Sequence, residues 1–595
     1  MKKIICFIAL ALSLAACSLD EDPKSQVAKG PVFSSEEGLA MYANSFYGTF
    51  LGPSALTTWG SAWGNFYSVH EGVNTFMTDK FNASMQGSWG WGTLRNINYF
   101  LMNNTNEAVP ESVRNNYNGL ARFFRAYFYF NMMKTYGDLP WIDRTLDVKD
   151  TLLTAARQPR TYIADRIYED FEYAVNHISS TSDATCTTVT KYVAAAFESR
   201  FCLWEGTYRK YTPSAGLQST AELWLKRAQQ AAETVINSGQ FGLYTDEGPA
   251  KSYRALFIAK EPKAKEVMLA SVFDSKEGLV NAETRKLNTT TLGGPLSPLK
   301  QVVNLYLKLD GKPFTDDPSY KTTPFTEEFK NRDYRASQTI RTPGFTRISN
   351  GKEVRTAPDY ACGYVGYHGM KFALDDVTYD GVDVGENNFI IMRYAEVLLN
   401  WVEAKAELGT LTDADWARSI GALRARAGIT GGLTSKPTKI DKYLQQTFFP
   451  DITDPVILEV RRERILELMW EDGMDYAEVQ RWHCGKLYEL PEEGIYVPEF
   501  NKALDMDGDG NPDVCFYTTD TPPSTIAGVY YRKVQLTPDA EGRYSTPVAV
   551  ASDGHTLLYN MNVDPVKWKD RMYFYPIAQA DIILNPNLKQ NPGYE

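Results

Sequence analysis

Trp59, Trp63 and Tyr67 recur every four residues in TTWGSAWGNFY (57–67), with a glycine directly after each tryptophan. GSWGWG (87–92) adds Trp89 and Trp91 in the same glycine-rich setting. The chemistry open to such residues is recognition by stacking. An indole offers a flat, slightly negative π face, and the C–H face of a sugar ring is apolar and slightly positive. Burying one sugar face of ~50 Å² contributes roughly 1 kcal/mol at ~25 cal/mol/Å². Two or three such platforms with hydrogen bonds to hydroxyls reach micromolar-to-millimolar affinity. Spacing of four is also helical, so packing in a core is the competing reading at each position.

A second constellation suits a cation. Asp505, Asp507, Asp509, Asn511 and Asp513 alternate along DMDGDGNPD, with glycines for the sharp turn that a Ca²⁺ loop needs. The bidentate Glu expected at the twelfth position is replaced by Phe516. The expectation is a structural Ca²⁺, against the alternative of an acidic solvated turn; no other cofactor is required.

Signals for catalysis are missing. HExxH, GxSxG and GxxxxGK[ST] do not occur, and His70-Glu71 has no second histidine four residues on. A glycoside hydrolase needs two carboxylates at a set separation, and nothing singles out a pair. The dense acids and arginines at 459–471 are spaced for salt bridges along one helix, Glu459 with Arg462 and Arg464 with Glu467.

The elements that must position these residues are mostly helical. Ser34-Ser35-Glu36-Glu37 has capping-box spacing and starts a helix through Met41 to about residue 50. Residues 122–136 are apolar nearly all round, a buried helix ended by Gly137 and Pro140. Over 389–408 the apolar set Ala395, Leu398, Leu399, Val402 and Ala406 keeps helical period, with Glu396, Asn400, Glu403 and Glu407 as the solvated face. Asp454 and Pro455 open a further helix running to Asp472. The helices pair as 117–136 with 162–178, 191–208 with 222–237, 389–408 with 413–427, and 456–472 with 476–482. Such hairpins suggest degenerate tetratricopeptide-like units, a generic bundle being the alternative. Between them lie long stretches rich in Gly, Pro, Thr and aromatics, at 51–92, 240–388 and 485–595, where function concentrates. A few short strands fit there, for example 266–273.

The chain has 595 residues, is 43% hydrophobic and 13% aromatic, and carries a net charge of −11. That acidity argues against nucleic acid as a partner, since phosphate contacts need clustered Lys and Arg. The five cysteines after Cys17 lack disulfide-framework or metal spacing and read as buried free thiols, with at most one or two incidental bridges. Lys2 and Lys3 precede an apolar run, Ile4–Ala16, of secretory-leader length. Leu14-Ala15-Ala16-Cys17 resembles the lipobox of bacterial lipoproteins, in which the leader is cut before a Cys that is then acylated. Asp20-Glu21-Asp22 resembles the acidic signal that sends some of them to the outer face of the outer membrane. Cleavage there removes two lysines and no acid, so −11 becomes −13.

Four ordered segments then resemble signature stretches of the SusD/RagB family of outer-membrane nutrient-binding lipoproteins. They are ARFFRAYFYFNMMKTYGDLPWI (121–142), FIIMRYAEVLLNWVEAKAELG (389–409), RRERILELMWEDGMDYAEVQRW (461–482) and YPIAQADIILNPNLKQNPGYE (575–595). Met474-Asp475-Tyr476 departs from the Arg-Trp/Phe-Asp more usual there. The resemblance implies a mainly α fold, a tetratricopeptide-like helical-hairpin superhelix with a large irregular loop-rich region and a few short strands. It implies a signal peptide at 1–16, a lipidated tether at 17–30, an N-terminal region with the ligand-binding loops at 31–330 and a C-terminal region at 331–595. It also implies a non-catalytic, surface-exposed lipoprotein, anchored through Cys17, that binds glycan and passes it to a SusC-type TonB-dependent transporter. Peptide or glycopeptide capture on the same architecture, or a surface glycoside hydrolase, are the alternatives. Candidate ligand contacts are Trp59, Trp63, Tyr67, Trp89 and, on the rim, Arg285; the family places a structural tryptophan at Trp91.

Overall fold

The structure, a computed structural model, describes residues 32–50, 66–69, 75–289, 296–381, 383–471, 474–540, 544–559 and 566–595. Helix α1 (Glu36–Asn44) begins where the Ser35 hydroxyl accepts a hydrogen bond from the Gly38 amide, 3.2 Å. That bond satisfies one of the orphan donors of a first turn. α2 (Gly92–Asn103) leads into α3 (Glu111–Tyr136), whose Phe123, Phe124, Tyr129, Phe130 and Met133 are all buried. α3 packs on α4 (Arg160–His177), α4 on α5 (Lys191–Tyr211), and α5 on α6 (Ala221–Ile236). This is the run of hairpins expected from the apolar periodicity.

The second half of the superhelix follows a long irregular segment that carries the short helix α7 (Glu283–Asn288). α8 (Tyr394–Glu407) packs against α6 and α5. α9 is interrupted: a π turn, Ala417–Gly421, joins the α-helical pieces Asp413–Trp416 and Ala422–Arg426. α10 (Pro455–Glu467) starts as predicted, with Asp454 accepting from the Val456 amide at 2.8 Å and proline in the first turn. α11 (Met474–Trp482) packs on α5, and α12 (Gln579–Leu584) lies near the C-terminus. The five cysteines among the described residues are free thiols.

Three expectations need correction. Phe389–Arg393 is a strand, antiparallel to Val267–Ser271, not the first turn of a helix. All five residues are buried, so no one-sided helical stripe begins before Tyr394. The acidic face of α8 is not solvated either: Glu396, Asn400, Glu403 and Glu407 are each at most 7% exposed. Glu396 pairs with Arg200 at 2.6 Å, Glu403 with Arg481 at 2.5 Å and Arg464 at 3.1 Å, and Glu407 with Lys210 at 2.6 Å. Buried carboxylates persist when cations from neighbouring helices meet them. Glu459 does pair with Arg462, at 3.2 Å. Arg464 and Glu467, however, point to other elements: Arg464 to Glu478 at 2.8 Å, and Glu467 to Arg335 at 2.9 Å, to Arg393 at 2.6 Å and to Arg426. Instead of salt bridges along one helix alone, the charges form a buried lattice tying α8, α9, α10 and α11 together.

The Gly- and Pro-rich stretches carry the strands. Glu493–Tyr496, Thr556–Tyr559 and Val548–Val550 form one small sheet, and Ala503–Leu504, Val514–Tyr517 and Tyr530–Lys533 another.

Candidate functional site

Trp89 is half-buried at the surface, its ring edge-on to Tyr136 (centroids 5.4 Å apart) and to Trp91 (5.3 Å). Its backbone amide donates to the Asp581 carboxylate at 3.1 Å, which ties the loop to α12. Trp91 packs against Phe128 and Tyr129 of α3, the structural role expected for it. Trp89 therefore keeps part of its indole available while two rings hold its orientation. Trp59 and Trp63, like Cys17, lie outside the described residues.

Tyr67 is not a platform. It is 2% exposed, and burial pushes its phenol well above the usual tyrosine range, with the nearby Asp475 and Glu478 carboxylates adding to the shift. Arg285 is partly exposed on α7, where it donates to Asp383 at 3.0 Å. A ligand at this rim has to compete with that ion pair.

One aromatic feature had no signal in spacing. Trp568 stacks on Tyr488, centroids 5.3 Å apart and planes 10° from parallel, and meets Tyr573 edge-on at 5.1 Å. Tyr488 in turn meets the edge of Phe66, the residue that continues the tryptophan-rich stretch 57–65. Gly485 makes the stack possible. A Cβ there would come within 2.0 Å of the Trp568 ring, and its amide donates to the Tyr573 hydroxyl at 3.0 Å. The partners lie some eighty residues apart in the chain, so only the fold reveals the half-buried indole of Trp568.

In the acidic loop, carboxylate oxygens of Asp505, Asp507 and Asp513 all lie within 4.8 Å of one another. Burial raises the Asp507 and Asp513 carboxyls above their ordinary values, and neighbouring aspartates reinforce the shift. Asp505 accepts from the Gly508 and Gly510 amides, 2.7 and 2.8 Å, which curls the backbone around the cluster. Asp509 turns to the Asn511 amide and side chain instead, at 2.7 and 3.1 Å, and these bonds lower its carboxyl. Three of the five predicted ligands, Asp505, Asp507 and Asp513, thus converge, and oxygen donors grouped in this way are the kind that a hard divalent cation takes.

The comparisons fit this architecture. A family model described as "SusD family" matches residues 272–594, more than half of the chain. This chain belongs to the SusD family. A second model, described as "Starch-binding associating with outer membrane", matches residues 61–203. SusD-like protein P2 of Formosa agariphila is 24% identical over 524 residues, covering 83% of this chain and 92% of that protein. Two crystal structures from Bacteroides fragilis share the fold. A SusD-like protein aligns with TM-score 0.67 at 19% identity, over 96% of this chain and 100% of its own. A SusD-like carbohydrate-binding protein aligns with TM-score 0.66 at 18% identity, over 94% and 100%. The mainly helical SusD architecture read from the sequence is confirmed. Among the described residues no helix is long and apolar enough to cross a membrane.

Proposed function

We propose that this SusD-family chain is a cell-surface glycan-binding lipoprotein that hands oligosaccharide to a SusC-type TonB-dependent transporter and performs no catalysis. Family membership, together with half-buried indoles beside the glycine-rich 57–92 region, supports the reading. Trp89 and, by the same chemistry, Trp59 and Trp63 would stack on sugar faces, Trp568 extending the surface. Lipid on Cys17 would anchor the chain to the outer membrane. Affinity electrophoresis against a polysaccharide panel, with a reducing-end assay on the same mixtures, tests it. Retarded migration with no new reducing ends is expected. Released sugar contradicts the non-catalytic reading, and migration unchanged by every polysaccharide but shifted by peptides favours peptide capture.

The converging carboxylates of Asp505, Asp507 and Asp513 support a structural Ca²⁺ in that loop. Calcium should raise the melting temperature of the wild type, and Asp513→Asn should remove the increment. A melt unaffected by calcium or chelator leaves the loop an acidic turn.

A further inference from the structure

A cavity of about 500 Å³ opens between the 241–249 loop, the start of α8 and helix α9 with its π turn. Its walls use none of the aromatic residues discussed above. Phe241 and Tyr394 line one side, their rings 24° from parallel with centroids 6.4 Å apart. On α9, Arg418, Ala422, Ala425 and Arg426 line the other. These positions share a helical face, and the two alanines leave its middle empty. The π turn lies at this wall, and such turns recur where a helix has been reshaped around a site.

Two cations border this apolar space. Arg418 is exposed, its guanidinium 5.7 Å from the Trp401 ring, and no carboxylate pairs with it among the described residues. The acids on neighbouring segments are already engaged: Asp246 with Lys265 at 3.0 Å, Glu247 with Lys263 at 3.8 Å and Asp415 with Lys405 at 2.6 Å. Arg426 is 4% exposed and gives its terminal nitrogens to Glu266 and Glu467, while its Nε–H has no acceptor among the described residues. In a chain of net charge −11, an unpaired arginine at the mouth of an apolar cavity selects for negative charge. A second sugar subsite is the poorer fit, because walls of Phe, Leu, Ala and Gly would leave most hydroxyls without partners.

We propose that this cavity is a second binding site, distinct from the glycan surface, for a small amphipathic anion whose apolar body lies on Phe241 and Tyr394 and whose carboxylate meets Arg418. The volume falls within the ~300–1,000 Å³ typical of small-ligand pockets. A free organic acid and the C-terminus of a peptide share this chemistry.

Fluorescence of 1-anilinonaphthalene-8-sulfonate added to the mature protein reads the site, with displacement by 4-phenylbutyrate, 4-phenylbutanol, and Gly-Gly-Phe as free acid or amide. We expect one displaceable dye per chain. Phenylbutyrate should compete at least tenfold better than phenylbutanol. Arg418→Glu should weaken it at least tenfold, Arg418→Lys should retain most of the affinity, and Ala422→Trp should fill the space and abolish binding. Circular dichroism melts check that each variant is folded; Arg418→Glu carries the test if Ala422→Trp is not. Competition by the free-acid peptide as well extends the site to chain termini, whereas competition by phenylbutyrate alone assigns it to organic acids. Equal binding to wild type and Arg418→Glu, equal competition by phenylbutanol, or displacement by neither acid overturns the proposal. Glycan retardation measured on the same Arg418→Glu protein separates failure of this site from failure of the glycan-binding reading.

Discussion

At the scale of single residues, Gly485 and Glu198 carry the sharpest consequences. Gly485→Ala forces the Trp568 indole off Tyr488, because no side chain fits against the ring. The expected outcome is a red-shifted tryptophan emission and weaker glycan retardation in a protein that still folds. Glu198, on α5, is 7% exposed, and burial pushes its carboxyl up to about 8, with Glu172 adding to the shift and Arg227 opposing it. The folded chain therefore holds this proton more tightly than the unfolded chain does. Stability from that proton is complete below the ordinary glutamate value of ~4.3 and is lost as pH rises toward 8. Glu198→Gln should leave the melting temperature at pH 4 nearly unchanged and raise it at pH 9, where the variant gains on the order of a few kcal/mol of stability over the wild type. Equal melting curves at pH 9 would show that the carboxyl is ionised at no cost. Neither residue was legible beforehand. Spacing marked Tyr67 as a stacking partner but could not see that the fold leaves it 2% exposed, and it gave no reason to join Trp568 to Tyr488.

At the scale of elements, local chemistry was readable and distant chemistry was not. Asp454 and Pro455 announced the start of α10 because a cap acts within three residues. The acids of α8 were misread for the opposite reason: their partners Arg200, Arg464 and Arg481 come from α5, α10 and α11, and helical period cannot report a cation on another helix. The two kinds of feature differ in energetic weight. Asp454→Ala should cost ~1 kcal/mol, a modest fall in denaturation midpoint. Arg393→Met should cost ~3–5 kcal/mol, because it leaves Glu266, Glu467 and Glu471 buried with one cation fewer. Urea titrations of both variants check the ranking. A smaller loss for Arg393→Met than for Asp454→Ala would mean that the charge lattice adds little to the fold.

At the scale of the whole molecule, four signature segments from both halves of the chain were enough to read the SusD architecture through the resemblance they carry, whereas helical period alone left a generic bundle open. The cavity beside α9 escaped notice, since Phe241, Tyr394 and Arg418 meet only after the hairpins stack. The proposed anchoring through Cys17 is tested on the complete chain. Several acyl chains hold a protein to a leaflet where one holds it only marginally, at ~0.8 kcal/mol per buried CH₂. Cys17→Ser should move the protein from the outer-membrane fraction to the soluble fraction and abolish palmitate labelling. Retention in the membrane without the label would require another anchor.

Calorimetric titration of a retarded oligosaccharide into the mature wild type, and into the Trp59→Ala, Trp63→Ala and Trp89→Ala variants, tests the central claim most directly. Each tryptophan that stacks on a sugar should cost roughly 1 kcal/mol, about fivefold in affinity, and the triple variant should show no measurable heat. Undiminished affinity in the triple variant, with its fold intact, would contradict the claim that indole platforms make this chain a glycan-binding protein.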